Sequence, residues 1–259
     1  MKFCANYPRG PDLEAAFASL SISGSNNPSS DAASKPPSAG PAAGRKVSPM
    51  LPAPGPEVEL GTILMAMRKL RESITATKRT DSFAQRAYIF ILHSTLLASA
   101  WESYMVTILY LLDNIHPVTP LPVPELHEVL SYHILDLTCR QGSLNEAFRQ
   151  VISARRQHHW ADRKVERITM ALATDDWVTF WRLRRQVDGY QRAIMSFAEE
   201  GMRTHVLKCL GRSYLQADKD YVERSTSSTW DELVANGVGW DLVDGEKVII
   251  RKPKAKAPG

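Results

Sequence analysis

The chain has 259 residues, 44% of them hydrophobic, and a formal net charge of +4. That is enough to bury a sizeable core, as one large domain or two small ones, and the modest positive balance permits contact with nucleic acid without requiring it. The cysteines, Cys4, Cys139 and Cys209, lie far apart without paired ligand spacing and leave an odd one out, which supports neither a zinc site nor a disulfide framework and suits a reducing compartment, cytosol or nucleus.

The opening "MKFCANYPRGPDLEAAF" lacks the apolar stretch of a secretory signal. Leu13 to Leu20 reads as one or two helical turns, either a docking peptide or a frayed terminus. From Ser21 to Pro56 the residues are mostly Ser, Pro, Ala, Gly and Asn. Such a stretch cannot offset the entropy of ordering itself, so residues 1–56 are expected to be disordered.

Residues 57–122 read as N-terminal helices. Leu60, Ile63, Leu64, Met67 and Leu70 recur at helical spacing. After "TKRTD" an apolar pattern runs from Phe83 to Ile115, as one long helix or two. Its most hydrophobic part, Ala87 to Leu112, is interrupted by His93, Ser94, Thr95 and Glu102, which predicts a buried core helix rather than a bilayer span. The prolines of "HPVTPLPVP" then stop the helix.

Residues 123–212 read as an irregular helical array. Leu126, Val129, Leu130, His133, Ile134 and Leu137 form one stripe. "SLNE" at Ser143 to Glu146 has the spacing of a capping box. Further helices carry Val165, Ile168 and Leu172, then Trp177, Val178, Trp181 and Leu183. A long one runs from Tyr190 to Leu210 through Ile194, Phe197, His205 and Cys209. Gly201 on its apolar face would let a neighbouring helix approach closely. Short amphipathic helices that cannot bury their faces alone are expected to stack. Cys139 and Cys209 fall on apolar faces and read as buried thiols. His133 and His205 read as satisfied core histidines.

Residues 213–252 change texture. Asp218 can cap a short helix, and "TWDE" at Thr229 to Glu232 is a second capping box. "GWDLV" and "KVIIR" read as strands around Asp244-Gly245, the dipeptide of a tight hairpin. With the preceding long helix, this order of helices and hairpin is that of a winged helix. The fold class expected is thus an all-α helical-repeat array followed by a winged helix with a small β-hairpin.

A winged helix grips DNA or docks on protein. The helix opened by Thr229 presents Asp231 and Glu232 and has no Lys or Arg, whereas phosphate contact needs cations at the surface. Protein docking is therefore expected, and specific DNA binding is not. Arg182, Arg184, Arg185 and Arg192 cluster where two helices meet, and a basic tail, residues 253–259, follows "IRK". These cations, with Lys252, Lys254 and Lys256, are candidates for holding RNA; the alternative is solvated helix faces and a solvated terminus. "HHW" at His158 to Trp160 and "TDDW" at Thr174 to Trp177 carry no metal-ligand spacing or catalytic partner. Nucleophile elbow, phosphate loop and dinucleotide fingerprint do not occur. Neither a cofactor nor a metal is expected, and the chain does not read as an enzyme.

The run "ITMALATDDWVTFWRLRRQVDGYQRAIMSFAEEGMRTHVLKCLGRSYL", followed by "WDELVANGVGWDLVDGEKVIIRKPK", resembles the PCI family. Its members are non-catalytic subunits of the proteasome lid, the COP-nine signalosome and translation initiation factor three, with messenger-RNA export adaptors of the Sac-three type. The likeness covers Leu126 to Lys254 and is to the small branch of signalosome subunit eight, lid subunit Rpn-twelve and initiation-factor subunit k. It implies a cytoplasmic and nuclear scaffold subunit, held by other PCI-type subunits, whose winged helix lines up with its neighbours by strand addition. By that analogy the contact residues are Trp230, Leu233, Val234 and Trp240, with the strand Lys247, Val248, Ile249, Ile250 and Arg251. The runner-up is an RNA-binding adaptor of the Sac-three type. One departure is that only "PKAKAPG" follows Lys252, too short for the helix such subunits carry past the wing.

Overall fold

The computed structural model describes residues 56–251. The expectations for the N-terminal segment, its Leu13–Leu20 peptide and the basic tail with Lys252, Lys254 and Lys256 lie outside the described residues. Pro56, assigned to that segment by composition, instead opens a helix at the position where a proline's missing N–H costs nothing.

Among the described residues, those from Leu70 onward form one compact unit, and those before it belong to another. Before Leu70 lie the opening turns of α1 (Pro56–Ala76), with Leu60, Ile63, Leu64 and Met67 on one side. The second unit begins with the end of α1 and continues through α2 (Ser82–Leu97), α3 (Trp101–Tyr110), α4 (Val123–Leu135), α5 (Leu144–His158), α6 (Arg163–Ala173), α7 (Trp177–Arg184) and α8 (Gly189–Ser213). It closes with β1 (Gln216–Asp218), α9 (Lys219–Thr226), α10 (Trp230–Ala235), β2 (Asp241–Val243) and β3 (Lys247–Ile249). No described helix is long and apolar enough to cross a membrane.

Aspartates cap four of these helices. Asp81, Asp162, Asp176 and Asp188 each accept a backbone N–H from the first turn of α2, α6, α7 and α8, satisfying donors that have no partner within the helix. The Thr229–Glu232 box is present in full at α10. The other box is not: Ser143 sits at the N-cap of α5 without a side-chain bond. Asp218 likewise precedes α9 without one.

The apolar run from Phe83 is two helices, separated at Ser99, whose φ of 54° a continuing helix does not allow. Both α3 and α4 end in a π-helical turn, Leu111–Ile115 and Asp136–Arg140. In the second, Asp136 is fully buried and bonded by the Arg140 guanidinium at 2.5 and 2.8 Å and by Gln141 Nε2 at 2.7 Å. Those donors are what make a buried carboxylate tolerable.

One continuous core runs from Ile74 to Met202, through Tyr88, Leu92, Tyr104, Ile108, Val129, Ile134, Trp160, Ile168, Phe180 and Ile194. Trp160 is 1% exposed, and its indole N–H donates to His127 O and Ser131 Oγ at 3.1 and 3.0 Å. A second core holds Val206, Leu210, Val222, Trp230, Leu233 and Val248. Trp177 packs against both. Trp181 joins them by a bond: its Nε1–H donates to the Ser225 carbonyl of α9 at 2.9 Å.

Two expectations change. Gly201 is exposed, and a Cβ built on it meets nothing within 4 Å, so no neighbour approaches closely there. His133 is not a satisfied histidine: its Nδ1 is buried without a hydrogen-bond partner.

Trp181→Phe leaves the Ser225 carbonyl unpaired in a dry contact and is expected to cost about 1–3 kcal/mol, seen as a lower urea midpoint at unchanged slope. Burial holds the His133 imidazole below its ordinary pKa of 6.5, so as pH falls the unfolded chain protonates first. The stability it contributes is therefore complete above about pH 6.5 and lost as pH falls towards the depressed folded value. His133→Leu is expected to shrink the loss of melting temperature between about pH 7 and about pH 5.5; an equal loss in both proteins contradicts this.

Candidate docking surface

The three C-terminal strands form an antiparallel sheet of order β1-β3-β2. Ala217 pairs with Val248 on one side of β3, and Leu242 pairs with the same residue on the other. β1 was not recognised in the sequence, because "QAD" is three residues long and has neither β-branched nor aromatic character. The Asp244-Gly245 turn forms as expected, both residues at positive φ, 52° and 74°.

This topology corrects the strand assigned to docking. Lys247 to Ile249 is the central strand, with both backbone edges already paired, so it has nothing to offer a neighbour. Ile250 and Arg251 lie beyond its end, where their N–H groups bond the Leu215 carbonyl at 2.9 and 3.1 Å. Among the described residues, the edges without a strand partner are the outer sides of β1 and β2.

The side chains divide as sharply. Leu233 and Val248 are 0% exposed and Trp230 is 7% exposed: they are the second core, unavailable to a partner. Trp240 is half-buried, its ring 3.7 Å from where a Cβ on Gly211 would stand. What remains outward is Val234 at 48% and Val243 at 39%, with Tyr214 and Leu215 near β1. Lys247 and Arg251 are exposed, and the Arg251 guanidinium donates to the Arg212 carbonyl. Asp231 and Glu232 are exposed on α10. The Ser228 hydroxyl and the Thr229 N–H both bond Glu232, holding its carboxyl below the usual range, so it stays ionised.

The basic cluster is partly spent inside the fold. Arg184 is ion-paired with Glu199 at 2.6 Å. Arg192 donates to the carbonyls of Arg184 and Val187 at 3.3 and 3.0 Å, closing the end of α7. Arg182 and Arg185 are exposed. Arg185 and Arg192 line an open cleft of about 940 Å³. Arg163 and Lys164 line it too, together with the carboxyl groups of Glu128, Asp162 and Asp188, so the cleft is of mixed charge and not a uniformly basic groove.

No family model and no curated protein matches the chain.

Leu233→Ala and Val248→Ala are each expected to cost about 2–4 kcal/mol, because each opens a cavity in a small core. Val234→Ala should change stability by less than about 0.5 kcal/mol. Thermal melts of the three variants check the division between buried and outward residues.

Proposed function

We propose that the C-terminal unit is a winged helix that docks on another protein, and that the chain is a non-catalytic scaffold subunit of a PCI-type assembly in the cytosol or nucleus. The element order α8-β1-α9-α10-β2-β3 supports the winged helix. Successive short helices from α4 to α7, leading into the long α8, support the helical array before it. The observation that carries the docking function is α10 itself. It exposes Asp231, Glu232 and Val234 and contains no cation, a surface that repels a phosphate backbone and suits a protein with an apolar and basic face. Strand addition, if used, falls to the outer edge of β2, beside exposed Val243, and not to β3.

The RNA-adaptor reading keeps only Arg182 and Arg185 as exposed members of its four-arginine cluster. It requires binding that falls steeply with salt.

The test is affinity purification of the full chain followed by mass spectrometry, alongside Val234→Glu and Val243→Lys. The expected result is recovery of proteasome-lid, signalosome or initiation-factor-three subunits, reduced at least about tenfold in both variants at unchanged melting temperature. Recovery of none of these subunits, or of RNA with a steep salt dependence in their place, overturns the proposal.

A further inference from the structure

Cys209 is not the buried thiol its apolar spacing suggested. It is only partly buried, and its Sγ lies 3.2 Å from Nε2 of His205, one turn earlier on α8. On the far side of the imidazole, Nδ1 stands 3.9 Å from Oδ2 of Asp175. Asp175 is brought there by the turn between α6 and α7, where its φ of 55° reverses the chain. Its neighbour Asp176 is occupied in capping α7 at Thr179 N. The Trp177 ring lies 6.1 Å from the imidazole, along one flank.

We propose that Cys209, His205 and Asp175 form a reactive-thiol site that exchanges with small anionic disulfides. A thiol within hydrogen-bond reach of a base is the core of an activated nucleophile, and here a carboxylate stands on the far side of that base, beyond hydrogen-bond distance. Nε2 faces the thiol and takes its proton, while the exposed Asp175 carboxylate, 3.9 Å from Nδ1, adds only a solvent-screened attraction. The thiolate of Cys209 then attacks one sulfur of the disulfide; the sulfur–sulfur bond breaks and a mixed disulfide forms on Cys209. The departing thiolate takes the proton from His205, so no outside oxidant is needed. Arg212, one turn further along α8, is exposed, and the Arg251 guanidinium rests on its carbonyl. Two cations at that end of the helix favour a negatively charged disulfide. Cys139 provides the contrast: it is buried, and burial pushes its thiol pKa far up, so it is inert.

The test uses the full chain carrying Cys4→Ser, treated with dithiobis(nitrobenzoate) and followed by absorbance, with the labelled residue located by peptide mass spectrometry. At about pH 6 Cys209 is expected to react at least about tenfold faster than a cysteine peptide, since an isolated thiol has a pKa of about 8.5. His205→Gln should return the rate to that of the peptide, and Asp175→Asn should place it between the two. A pH–rate profile of the parent protein that follows the peptide overturns the proposal and needs no further variant. So does absence of label at Cys209 in the folded protein, or an unchanged rate in a folded His205→Gln. None of these readouts requires a partner protein, so they are independent of the docking proposal.

Discussion

The structure from Leu70 onward depends on a single buried stripe that changes partners midway along α8. Ile194, Met195 and Met202 close the large helical core, and one turn later Val206 and Leu210 open the small C-terminal one. A helix of 25 residues is a stiff rod, so the two cores cannot be repositioned independently without bending it. Trp177 and Trp181 reinforce the same junction, the first by packing against both cores and the second through its bond to Ser225. The aromatic handover is a rivet between two hydrophobic assemblies, with Trp181 buried in it and Trp177 half-buried at its edge.

A second economy concerns charge. The sequence places several arginines together around α7, but backbone carbonyls and Glu199 claim two of them. A helix that ends against another helix leaves carbonyls without partners, and a guanidinium with five donors is well suited to close them. The same logic appears at Asp136, whose buried carboxylate is surrounded by donors. Counting cations along a sequence therefore overstates what a binding partner will find at the surface.

Much of the helical layout was legible from residue types alone. Apolar spacing of three and four located the buried faces of α4 and α6, and the Thr229–Glu232 pair marked α10 to the residue; on α8 it found Ile194, Val206 and Leu210 but took in exposed Phe197 and passed over buried Met195 and Met202. The hairpin was readable because Asp244-Gly245 is one of few pairs that tolerate two positive φ values in succession. Three features were not readable, each for a physical reason. β1 has no strand propensity of its own and exists because β3 arrives to pair with it. The roles of Trp230, Leu233 and Val248 depended on which side of the sheet faces α8, a tertiary matter. The environment of Cys209 was half visible, since His205 precedes it by four positions, but Asp175 approaches from a different turn. Gly201 shows the converse error: a small residue on an apolar stripe is as consistent with open solvent as with a neighbouring helix.

The position of β3 has a consequence for how the chain is made. It is the central strand, yet it is the last of the three to leave the ribosome, after both strands that flank it. During synthesis β1 and β2 are present with no common partner, and the small core lacks Val248. The large helical core, all of whose members precede Val206, can condense first as the nascent chain emerges. The three-stranded sheet and the small core beneath it therefore mature in one late step, and a nascent chain halted before Lys247 would carry two orphan strands and an open hydrophobic seam.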